Sequence, residues 1–317
     1  MRQKKYARME SPREGLNNQR IAILGFLILC SEKGYEPILP KYCIDHIPKN
    51  HNFKNFTNIL LHPVAYASYY FQAKIKKPKV ALVDIYHESL FDALDVKPIS
   101  TFPATNKRLY RIEKISFCKS LAIGFRLLQT SEITPESKEI LKFLRASSSI
   151  SLIAKKCIEQ LTLPIIAVGF RLEQDWIRHI NSNIYTGSAM DREIFTVHNI
   201  LSTLSNLRDD TGIGSFYLCC DSCNLTCTQQ QVFDLASQLD INVYFQQHFR
   251  HPLYEFKSSI SRSIFDFEIA LSCTGWIGSD KSTFNNMIQL YSKVNDSMQI
   301  HYLLSSTIRK YSLVNKL

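Results

Sequence analysis

The chain has 317 residues, 45% hydrophobic and 21% charged, which excludes a disordered polypeptide and provides length for two cores rather than one. Its 38 lysines and arginines exceed its 28 aspartates and glutamates, leaving a net charge of +10 that suits an anionic ligand. The basic residues are scattered apart from short runs at Arg2-Gln3-Lys4-Lys5 and Lys74-Ile75-Lys76-Lys77, a distribution that speaks for solubility and against a nucleic-acid-binding stripe.

The first apolar element covers residues 21–30 and follows a basic leader. Its length is that of a signal-peptide core, but no small-x-small cleavage site follows; the chain runs on as Ser31-Glu32-Lys33-Gly34. Ten residues are too few to span a bilayer, so the segment is expected to be a helix buried on all sides, with no membrane partner. Short buried strands are expected at 36–40 and 80–84. Helical spacing covers 137–163 and is broken at 146–149, near a domain boundary.

Beyond that boundary the pattern alternates. Residues 164–170 form a continuous apolar run, as a strand buried on both faces requires. A helix is expected over 193–207, a strand over 216–220, a helix over 229–239 and a strand over 241–245. A helix over 261–273, a short strand over 275–278 and a helix from Ser282 follow, and the stretch from His301 onward is expected to pack back as a helix. Such alternation predicts an α/β protein with an open parallel sheet covered on both faces. Ligands of such sheets bind outside the carboxyl ends of the strands.

Nine cysteines, an odd number, sit mostly inside apolar runs, as Cys30, Cys118, Cys157, Cys219 and Cys273 do. Free, partly buried thiols in a reducing compartment fit this better than a disulfide framework, and place the chain in a cytoplasm. Cys220 and Cys223 form a CxxC pair, but no second pair follows at zinc-binding distance, and Cys219 and Cys220 end an apolar strand. No metal ligand set is assigned.

Three segments put phosphate-friendly groups at strand ends or helix starts. Glu14-Gly15-Leu16-Asn17-Asn18-Gln19-Arg20 precedes the buried helix and leaves main-chain N–H groups available at its start. Arg171 follows the apolar strand directly, where a guanidinium can fork onto two phosphate oxygens, and Asp175 stands four residues on, within reach to fix its plane. In Gly278-Ser279-Asp280-Lys281-Ser282-Thr283-Phe284, a strand turns into a helix whose first N–H groups and hydroxyls form an anion site. Each alone also reads as a simple cap or a surface ion pair.

Together the three resemble the signature regions of the O-fucosyltransferase superfamily. EGLNNQR with the following buried helix and Leu39-Pro40 is similar to the family's opening Gly-x-Asn-x-x-Arg turn. VGFRLEQDW is similar to its strand ending in His-x-Arg with an aspartate four residues after the arginine. WIGSDKSTF is similar to its Gly-x-x-x-Ser-Ser/Thr-Phe turn, and the order holds over residues 13–290.

The resemblance implies a GT-B-like α/β fold of two Rossmann-like domains facing a cleft: an acceptor-side domain at 1–150 and a nucleotide-sugar domain at 151–317. It implies that Arg171 contacts the β-phosphate of the donor with Asp175 beside it. It also implies that Ser282, Thr283 and Phe284 hold pyrophosphate and nucleoside, that Asp266 lies near the base, and that Asn17 or Asn18 is the asparagine of the first motif. Glu14 matches the catalytic base of one branch. Gly169 departs from the pattern, standing where the family has histidine.

Breaking a bond between an anomeric carbon and a nucleoside diphosphate builds a dianionic leaving group, which an arginine and helix N-terminal donors can stabilise without a metal. Asp266-Phe267-Glu268 comes nearest to a metal-binding Asp-x-Asp but reads as helical. The expected activity is therefore transfer of a sugar, fucose from GDP-fucose, to a hydroxyl of a glycan or protein, with inversion and without cofactor. A catalytically inactive nucleotide-sugar binder or sensor of the same fold is the alternative.

Overall fold

A computed structural model of the chain describes residues 5–12, 15–44, 79–86, 88, 90, 111–129, 134–161, 163–170, 196–220, 225–249, 258–279, 282–294, 300–304 and 311–313. The chain divides into two compact units. Met1–Glu132 with Ser258–Ile260 form one, and Ile133–Lys257 with Ser261–Leu317 the other.

In the first unit, strand β1 (Lys5–Met9) lies between β2 (Glu36–Ile38) and β5 (Arg111–Ile115), all parallel. Helix α1 (Leu16–Lys33) crosses from β1 to β2, and Gly34, at φ 61°, ends it in the left-handed conformation. Residues 19–30 of α1 are all buried, as the unbroken apolar run of 21–30 requires. One face of α1 meets α2 (Phe117–Gln129) at two glycines. A Cβ on Gly25 would lie 2.2 Å from the carbonyl oxygen of Ser120, and one on Gly124 would lie 2.0 Å from that of Ile21. The helices therefore touch backbone to backbone. The Glu10 carboxylate accepts from the N–H of Phe117 at 3.2 Å, closing the start of α2. The strand expected at 80–84 is shorter: β4 (Lys79–Ala81) pairs antiparallel with β3 (Tyr42–Ile44), and Leu82–Asp84 turn into a 3-10 helix.

The second unit opens with α3 (Pro135–Phe143) and α4 (Ser148–Ile158), separated at the expected break. Its six-stranded sheet contains β6 (Ile166–Gly169), β7 (Ser215–Leu218), β8 (Asn242–Tyr244), β9 (Gly275–Ser279), β10 (Ile300–Leu304) and β11 (Tyr311–Leu313). The order is β11-β10-β9-β6-β7-β8, and every pair is parallel except β10 with β11. Helices α5 (Val197–Thr211), α6 (Gln229–Gln238), α7 (Ser259–Ser272) and α8 (Thr283–Val294) alternate with these strands. The helix expected from His301 onward is instead β10: the sheet's open edge at β9 takes up that segment, Ile300 pairing with Gly275 and Leu304 with Ser279.

Side chains alternate across the sheet as the pleat demands. Ile166, Val168, Phe170, Phe216, Leu218, Val243 and Ile277 join Leu201, Leu204, Val232 and Ala236 of α5 and α6 in one buried cluster. Ala167, Gly169, Tyr217 and Trp276 occupy the opposite face, where Tyr217 bonds to α7 and Trp276 to α8. Both faces are covered, which is why the strands read as apolar runs.

Candidate functional site

Numbered from β6, the parallel strands follow the order 3-2-1-4-5. The chain leaves β6 and winds first to one side, then returns to add β9 and β10 on the other. The point where the winding reverses lies between β6 and β9, and the crevice beyond the strand ends there is where such sheets bind ligands. Gly169 of β6 and Gly278 of β9 are partners in that register. The strands that precede the second and third sequence segments thus end side by side.

Both glycines are required by their neighbours. A Cβ on Gly169 would lie 2.1 Å from Cζ2 and 2.3 Å from Cη2 of Trp276; one on Gly278 would lie 1.9 Å from Oδ1 of Asn285. Trp276 is wholly buried and donates its indole N–H to Asn285 Oδ1, also wholly buried on α8. The indole stacks on Phe284, with centroids 5.6 Å apart and planes at 26°. Phe284 also meets Phe267 edge-on at 5.4 Å. Ser282 stands at the N-cap of α8, its carbonyl accepting from the N–H of Asn286 at 3.0 Å, and Ser282, Thr283 and Phe284 all remain partly exposed. The start of α8 therefore offers helix N-terminal polarity beside the end of β6.

Asp266 sits on α7 beside the end of β7 and is buried. The Tyr217 hydroxyl donates to its Oδ1 at 2.5 Å. Burial, and next the Asp266 charge, hold that hydroxyl well above its ordinary pKa, so it stays a donor. Burial and then Asp266 likewise push the Cys219 thiol well up, and burial raises Cys273 to about 12. Burial thus favours the protonated form of both thiols. Glu268 serves elsewhere: it accepts hydrogen bonds from both the Nε–H and the Nη2–H of Arg145, and from the Ala146 N–H at 3.1 Å. Burial alone would lower the Arg145 guanidinium, but Glu268 outweighs it and the pKa is raised. Among the described residues no group of three or more histidines, cysteines, aspartates or glutamates could hold a metal ion.

In the first unit, Gly15 is the N-cap of α1 and no side chain caps the helix. Asn17 is 6% exposed, and its Oδ1 is enclosed with no hydrogen-bond partner among the described residues. Arg20 is completely buried, and Gln19 donates from Nε2 to the carbonyl of Ile44 at 3.4 Å. Asn18 follows Asn17 in the first turn. Glu14, Arg171 and Asp175 lie outside the described residues, as does Cys223 of the CxxC pair. Sequence reasoning passed over Trp276, Asn285 and Tyr217. The signal for the first two was present: a glycine inside a strand marks the close approach of another group.

No protein-family model matches the chain, and no curated protein matches it either. Solved structures do. The chain is similar to POFUT1 in complex with GDP-fucose at a TM-score of 0.54 and 13% identity, over 92% of this chain and 95% of that one. Apo POFUT1 gives 0.52 at 14% identity, over 95% and 98% of the two chains. The NodZ α-1,6-fucosyltransferase soaked with GDP-fucose gives 0.50 at 12% identity, over 99% and 100%. The chain has an O-fucosyltransferase-like fold. It is a mixed α/β, GT-B-like fold, and in it the Trp276 indole fills the space that a side chain at Gly169 would need. No helix among the described residues of this O-fucosyltransferase-like chain is long and apolar enough to cross a membrane.

Proposed function

We propose that the chain is a glycosyltransferase that moves fucose from GDP-fucose to a hydroxyl of a glycan or protein acceptor, with inversion and without a divalent metal. The observation that carries this reading is the adjacency of the ends of β6 and β9 at the switch point of the sheet. Support comes from the likeness of the whole chain to fucosyltransferases solved with GDP-fucose. In this reading the second unit takes the nucleotide sugar and the first serves the acceptor.

The chemistry assigns each residue a task. Arg171 forks onto the β-phosphate, Asp175 holds its plane, and the N–H groups at Ser282 and Thr283 bind the remaining phosphate oxygens. Charge that develops on departing GDP is met by these donors. Phe284 and Asp266 border the nucleoside. Asn17 and Asn18 hold polar groups of the substrates, and Glu14 removes the proton of the acceptor hydroxyl as the anomeric carbon is attacked. The free cysteines among the described residues, most of them buried, suit a reducing cytoplasm.

GDP release from GDP-fucose, assayed with and without a candidate acceptor and with and without EDTA, tests the reaction. Turnover unchanged by EDTA and lowered by roughly 10²-fold or more in Arg171→Ala is expected. Turnover abolished by chelation contradicts metal independence. The loss of a histidine at Gly169 favours one other reading, a nucleotide-sugar binder without turnover, and saturable binding with no GDP released over long incubation decides for it.

A further inference from the structure

The contacts around Gly169 form a chain of dependence. The glycine leaves room for the Trp276 ring, with any Cβ at 169 falling 2.1 Å from Cζ2. The ring lies against Phe284 and donates to Asn285, and Asn285 in turn crosses β9 only because position 278 is glycine. Phe284 and Asn285 belong to the first turn of α8. An indole is rigid and large, so its seat over Gly169 fixes where that turn begins.

We propose that Trp276 is the positioning residue of the nucleotide site and acts as one unit with Gly169: the indole, seated over the glycine, sets Phe284 and the N-terminal turn of α8 against the end of β6. The proposal rests on the nucleotide-sugar reading given above. It has a consequence for specificity. No side chain at the end of β6 faces the ligand from position 169, so the shape of the subsite on that side is decided by residue 276. A bulkier residue at 169 therefore costs much where the indole is in place and little where it has been removed.

The test is a double-mutant cycle on the full chain, with GDP titrated calorimetrically and thermal unfolding recorded for each variant. Trp276→Leu, which removes the ring, weakens GDP binding at least tenfold. Trp276→Phe, which keeps a ring against Phe284, stays within threefold of wild type; a merely structural role would lower Tm in both without this split in Kd. Gly169→Ala lowers Tm by about 4 °C and weakens GDP at least tenfold, yet costs less than twofold, with no further loss of Tm, when placed in Trp276→Leu. If Gly169→Ala fails to fold while the double variant folds, the coupling is shown in its strongest form. Equal costs of Gly169→Ala in both backgrounds, or a folded Trp276→Leu that binds GDP as wild type does, overturn the proposal and leave the donor reading standing. A wild-type chain that binds no GDP overturns the donor reading and the positioning role with it, while the Tm cycle alone still accepts or rejects the Gly169–Trp276 packing.

Discussion

Asp266 and Glu268 stand two residues apart on α7, about 200° around the helix, and each answers a different partner. Asp266 takes the Tyr217 hydroxyl near the strand ends, and Glu268 takes the guanidinium of Arg145. Two carboxylates so placed cannot close on one ion, which accords with reading Asp266-Phe267-Glu268 as helix. Glu268 has 5% of its side chain exposed, whereas Arg145 keeps 32%. Replacing the carboxylate strands a guanidinium that water can only partly reclaim. Glu268→Ala is therefore expected to destabilise the second unit by about 3 kcal/mol, the low end for breaking a buried pair, measured by urea unfolding. A loss under about 0.5 kcal/mol would make it an ordinary surface pair. None of this was legible in the sequence: Arg145 and Glu268 are separated by 123 positions, and local pattern carries no information on such pairs. Trp276 was hidden differently, as one apolar residue of a strand, although Gly169 and Gly278 already announced close neighbours.

At the scale of elements, the contact of α1 with α2 sets two effects against each other. Alanine in place of a mid-helix glycine gains about 1 kcal/mol of helix propensity. At Gly124 the new methyl meets the backbone of Ile21 at 2.0 Å, and forcing apart packed main chains costs about 1–3 kcal/mol or more. The second effect wins, so Gly124→Ala lowers Tm, by about 2–4 °C; a raised Tm would mean that the helices do not touch there. Elements with one dominant period were readable. The run at 164–170 gave β6, and the break at 146–149 separated α3 from α4. β1 and β5 were not, because Lys5, Arg8, Glu113 and Lys114 interrupt their apolar residues. β10 was misread because a short apolar run has no period of its own, and its state is settled by pairing with β9.

For the molecule as a whole, the alternation of strand and helix announced a parallel sheet, but not the order of its strands. That order is what brings the ends of β6 and β9 together. Three segments of modest specificity pointed to a fold that 12–14% identity to solved structures would hide from sequence comparison. The net charge of +10 is consistent with a diphosphate ligand. The most direct measurement is calorimetric titration of GDP-fucose into the wild-type chain and into Arg171→Ala. Saturable one-to-one binding, weakened at least tenfold by loss of the guanidinium, is predicted. No binding by the wild-type chain, or binding undiminished in Arg171→Ala, would contradict it.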